Sequence, residues 1–132
     1  MTPYILKQKI LTQISTLLGV YKLDSLVPAI WIGIPPQRTV ATGLECLIPE
    51  LPTQSKHGNH VLTEKWDITL TQYPATDGID TINQATRILR SYLRPCDVVF
   101  VQKPKSSGDV YDIPFLPQSI ISYQSKEILI IR

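Results

Sequence analysis

The chain has 132 residues, of which 43% are apolar and 18% charged, and its formal net charge is +2. Such a composition excludes wholesale disorder, and the length suffices for one domain whose core needs neither metal nor disulfide. Lysine and arginine are scattered rather than gathered into a run, so charge alone makes no case for nucleic acid or an anionic membrane.

No apolar run approaches the ~18 residues of a membrane span, and the N-terminus lacks the charged, apolar and small-residue regions of a secretory signal. Cys46 and Cys96 lie in "GLECLIPEL" and "LRPCDVVFV" and form no CxxC pair. They read as reduced, buried thiols that behave as small hydrophobes, which suits a reducing compartment.

Residues 2–19, "TPYILKQKILTQISTLLG", predict a helix. Thr2 stands at the cap, Pro3 at the first turn and Gly19 at the stop. Leu6, Ile10, Ile14, Leu17 and Leu18 form its apolar stripe. Residues 29–34, within "VPAIWIGIPP", predict a strand with Ile30, Trp31 and Ile32 in the core. Residues 41–51, "ATGLECLIPEL", are a weaker strand, and Pro49 and Pro52 suit an edge or a bent connection. The polar run "PTQSKHGNH", 52–60, reads as a loop.

A long strand follows over 60–73. Leu62, Trp66, Ile68 and Leu70 share one parity; Val61, Thr63, Lys65, Asp67, Thr69 and Thr71 take the other. One buried and one wet face is the signature of an antiparallel sheet. Glu64 breaks the apolar parity, at a point taken to be close enough to the strand's start to reach water.

Residues 74–95 change period to helical, with Asp77 or Asp80 at the start and Ile82, Ala85, Leu89, Tyr92 and Leu93 as the stripe. Arg87, Arg90 and Arg94 fall late, and Pro95 ends the element. "CDVVFVQK" predicts a strand with Val99 in the core; 104–117 is a turn-rich connection; 119–132 is strand material, as one strand or as two turning near Gln124 to Lys126. The order implies an α+β fold: one domain over 1–132 with a single, mainly antiparallel sheet and two helices packed on one face.

The search for chemistry turns up few candidates. "SSGD" is not a phosphate loop, and no Gly-x-Ser-x-Gly elbow is present. His57 and His60 form an HxxH in polar surroundings, weak metal candidates that otherwise read as solvated loop histidines. Glu64 and Asp67 fall on opposite faces of an ideal strand, whereas paired hydrolytic carboxylates must flank one bond. With His57 and His60 they make the one cluster an enzyme would use. Arg87, Arg90, Arg94, Lys103 and Lys105 form a modest basic patch without interleaved aromatics: a solvated helix face, a rim for an acidic partner, or a small nucleic-acid module.

The order of parts also carries a likeness. Trp66, Ile68, Leu70 and Gln72 make a Trp-x-Ile-x-Leu-x-Gln strand, followed by the amphipathic "GIDTINQATRILRSYL". The chain resembles, in this respect, the tail terminator and tail-completion proteins of tailed bacteriophages. The likeness covers most of the chain as an arrangement; "KPKSSGDVYDIPFLPQ" carries none of the family's motifs.

It implies a structural virion protein rather than an enzyme, assembled in the host cytoplasm and using no cofactor. Its copies would form a ring, usually six-fold, on the last ring of the tail tube, stopping polymerisation and meeting a neck, stopper or head-completion protein. Genome DNA would at most pass through the ring, and no membrane is involved. Another neck, tube or baseplate ring is the alternative within the same particle. Candidate interface residues are Lys65, Asp67 and Thr69 on the outer strand face, Lys56 and His57 before it, Arg87, Arg90 and Arg94 on the helix, and Lys103, Lys105 and Asp109 in the late connection.

Overall fold

The computed structural model describes residues 1–21, 27–35, 43–57, 61–73, 80–104 and 115–128. Helix α1, Pro3–Ile14, starts as the sequence dictates: the Thr2 hydroxyl accepts the Ile5 N–H at 3.1 Å and Pro3 occupies the first turn. The α-helix ends five residues before Gly19, passing into a 3₁₀ turn at Ser15–Leu17. Leu18 and Gly19 then run beside a strand. Gly19 donates its N–H to the Leu44 carbonyl, and its own carbonyl accepts from Ala29. Gly19 is therefore a point of backbone contact rather than a helix stop, and Leu17 is half-buried against the core instead of inside it.

The strands are β1 (Ile30–Ile32), β2 (Gly43–Ile48), β3 (Thr53–His57), β4 (Val61–Tyr73), β5 (Cys96–Pro104) and β6 (Phe115–Ile128), with helix α2 (Asp80–Tyr92) between β4 and β5. They make one mixed sheet in the order β1-β2-β4-β6-β5, with β3 also on β4. Only β1 and β2 are parallel among the described pairs; β2–β4, β3–β4, β4–β6 and β5–β6 are antiparallel. The fold is α+β, as expected.

Two open strand readings are decided, in favour of a connection at Pro49 and Pro52 and of one strand at the end, and the polar-loop reading is overturned. β2 lies inside the sheet, between β1 and β4, rather than at an edge. Pro49 and Pro52 do not spoil it because they fall between β2 and β3, which share one side of β4: Leu47 pairs Thr69, and Thr53 pairs Lys65. Most of the run read as a polar loop is thus strand β3. β6 is continuous through Gln124 to Lys126, paired with β4 throughout that stretch.

Register sorts the core. Leu44, Cys46, Ile48, Trp66, Ile68, Leu70 and Ile121 share one face of the sheet. They form one cluster with Leu6, Ile10 and Ile14 of α1 and Ile82, Ala85 and Leu89 of α2. Ile30 joins it, and Ile32 packs at its margin. Trp31 points to the other face. It is half-buried and meets Tyr21 edge-on at 6.3 Å between centroids, beside a smaller cluster of Tyr21, Ala29, Tyr73 and Leu116. Val99, expected in the core, is 56% exposed. It lies on the strand that ends the sheet, on the parity opposite half-buried Val98.

Gly43, the first residue of β2, allows the close approach of two backbones. Its φ is +106°, and a Cβ there would lie 2.6 Å from the Gly19 Cα, so any side chain collides with backbone.

Candidate functional site

Of the residues the enzyme reading requires, the two with described side chains, Glu64 and Asp67, face opposite ways. Glu64 pairs Gln54 on one side and Ser125 on the other; only 8% of it is exposed, so it does not reach water as a strand-end residue would. Asp67 faces the opposite way and accepts the Ser122 hydroxyl at 2.7 Å. His57 and Lys56 belong to β3 by their backbone pairing, but their side chains, like those of Lys103 and all of His60, Lys105 and Asp109, lie outside the described set. Among the described residues no three His, Cys, Asp or Glu groups gather closely enough to hold a metal ion.

The outer face of β4 is not uniformly wet. Lys65 and Asp67 are exposed, but Thr63, Thr71 and Tyr73 are buried. Tyr73 and Thr71 lie toward the Tyr21 and Ala29 cluster, and Thr71 accepts the Gln118 side-chain N–H at 3.1 Å. Between these two ends runs a feature that no single strand reveals. Val99 pairs Ile120, Ile120 pairs Thr69, Thr69 pairs Leu47 and Leu47 pairs Trp31. Five strands thus contribute one residue each to a row of largely apolar side chains. Val99 is exposed and the other four are half-buried. The next row holds Asp97, Ser122 and Asp67, so the apolar band has a polar, partly acidic border.

Glu45, on the same face at the covered end, is a functional-type residue that sequence reasoning passed over inside "GLECLI". It is 3% exposed and close enough to Tyr21 to act on its phenol. Burial first, and then the Glu45 charge, push the Tyr21 phenol well above its ordinary range.

On the α2 side, Arg87, Arg90, Ser91, Arg94, Pro95 and Cys96 line an open concavity of about 670 Å³. The three arginines are exposed; Arg87 and Arg90 lie on α2, whereas Arg94, expected on the same side of the helix, lies two residues beyond its end at Tyr92. Cys96 is half-buried rather than buried, and its thiol donates to the Arg90 carbonyl at 3.7 Å. Burial holds that thiol above its ordinary range, against the opposing pull of Arg90 and Arg94. Cys46 is fully buried and its thiol is pushed further up by desolvation and by Glu45. Both cysteines are free.

Compared with protein-family models, with curated proteins and with solved structures, the chain matches none of the three.

Proposed function

We propose that this chain is a structural subunit of a tailed-phage particle, a tail terminator that closes the tail tube as a ring and joins it to the neck. One observation carries the reading: the row Val99, Ile120, Thr69, Leu47 and Trp31 across the open face. An apolar band bordered by exposed Asp67, Asp97 and Lys65 has the apolar-centre, polar-rim composition of a protein–protein contact. The face belongs to one side of the molecule only. Its contact with a different surface on the next copy is the head-to-tail type that closes rings. The family likeness adds the order of parts, the Trp66-x-Ile68-x-Leu70-x-Gln72 strand leading to α2.

Lys65, Asp67 and Thr69 keep their candidate role, with Thr69 at the centre of the band and the two charges at its rim. The expected partners are other copies, the tube protein and a neck or head-completion protein; the expected location is the virion. The test is association with preformed tail tubes, followed by imaging of the labelled chain. Labelling at tube ends supports a terminator, labelling along the tube or only in the neck supports another ring of the particle, and no association with tube or neck refutes both.

A further inference from the structure

The concavity beside α2 takes in Cys96, the first residue of β5, which is the last strand in the sheet order among the described residues. Cys96, Val98 and Phe100 share the parity that pairs Tyr123, Ile121 and Ser119. The Ser119 hydroxyl meets the Thr86 hydroxyl of α2 at 2.8 Å, which fixes the helix above that row. Arg87 follows Thr86, and Arg87, Arg90 and Arg94 share the concavity with Cys96, so the arginines lie beside the start of β5. Among the described residues no ion pair engages any of the three guanidinium groups. Phe100 is 59% exposed. The result is a groove that opens at the start of β5 and is lined by arginines that no ion pair engages among the described residues.

We propose that this groove binds an extended, acidic segment of a different protein, added to the sheet as a strand on β5. A free edge offers alternating N–H donors and C=O acceptors that an extended peptide satisfies and a phosphodiester chain does not. Guanidinium groups recognise carboxylates through paired hydrogen bonds. Arg87 and Arg90 stand about 4.5 Å apart along the axis of α2 and Arg94 lies two residues beyond its end, while carboxylates at alternate strand positions repeat about every 7 Å on one face. Acidic residues at alternate positions therefore all face the side of the strand on which the arginines lie.

The residues between them face the other way, beside Val99, where they prolong the apolar band. The recognised pattern is acidic–apolar alternation. No two carboxylates of this chain stand two residues apart, so a second copy does not supply it.

The test uses the soluble full chain and a fluorescein-labelled nine-residue peptide of alternating Glu and Val. Controls are a peptide of the same composition with its glutamates grouped, the alternating peptide N-methylated at every second amide, and a single-stranded thymidine oligonucleotide. The expected result is saturable binding of the alternating peptide, weakened at least tenfold by grouping, by N-methylation in one of the two amide registers, and by the combined Arg87→Gln, Arg90→Gln, Arg94→Gln variant. Equal binding of the grouped peptide or of both N-methylated registers would reduce the groove to a charge patch and overturn strand addition. Tighter binding of the oligonucleotide would assign it to nucleic acid instead, and no peptide binding at all would overturn the proposal. These outcomes are read on the free chain and are separate from its association with tail tubes.

Discussion

The two faces of the sheet are built from the same strands by opposite rules. On one face, Leu44, Cys46, Ile48, Trp66, Ile68, Leu70 and Ile121 are essentially sealed and form one cluster with residues of both helices. On the other, protection is graded: Tyr73 and Leu116 are buried, the Val99 to Trp31 row is half-open, and Lys65 and Asp67 are in water. Stability is concentrated on the first face. The second keeps apolar area that the monomer does not fully use, and a monomer leaves such area available chiefly where something else covers it.

Substitutions on each face should therefore separate stability from assembly. The largest expected effect is Trp66→Ala, a loss of about 3–5 kcal/mol in urea unfolding; a loss below about 1 kcal/mol would break the contrast. On the open face, Val99→Asp should change stability by no more than about 0.5 kcal/mol, yet prevent association with tail tubes.

The sealed face also contains polar groups whose roles are unequal. The Thr86 hydroxyl donates its one proton to the Ile82 carbonyl at 2.6 Å, so the bond to Ser119 uses the serine as donor. Thr86→Val strands a buried donor and should cost about 1–3 kcal/mol. Ser119→Ala leaves the threonine proton satisfied and should cost less, about 0.5–1.5 kcal/mol. A double-mutant cycle by chemical denaturation checks the order.

A pH effect is smaller near neutrality and has a definite sign. The folded state holds the Cys46 proton far more tightly than the unfolded chain does. The associated stability is fully present below the ordinary thiol range and declines as pH rises above it, by about 1.4 kcal/mol per unit. Tyr21 acts in the same direction at higher pH. Thermal unfolding between neutral and alkaline pH should fall more steeply for the native chain than for Cys46→Ala.

Much of the sealed face is legible in the sequence because it is periodic. The alternation through Trp66, Ile68 and Leu70 and the helical steps through Leu6, Ile10, Ile14, Ile82 and Leu89 all mark buried positions. The open face is not legible in this way. "DVVFV" is apolar on both parities, so nothing local tells that Val98 turns inward and Val99 outward. The apolar row exists only once five strands are in register, and one of its members, Thr69, is polar by type. β3 escapes notice because its pairing uses backbone groups, which "TQSKH" does not advertise. Glu45 and Tyr21 are brought together by the bridge of Leu18 to Leu44, a contact that no spacing predicts. Arg87 and Arg90 are readable from helical steps, but their position beside Cys96 at the start of β5, together with Arg94 from beyond the helix, is not.

Hydroxyl-radical footprinting of the free chain and of the chain assembled with tail tubes tests the open face most directly. Trp31, Leu47 and Ile120 should lose reactivity on assembly, while Tyr4, exposed on α1, keeps its own. Unchanged labelling of Trp31, Leu47 and Ile120 in assembled particles would contradict the assignment of this face to subunit contact.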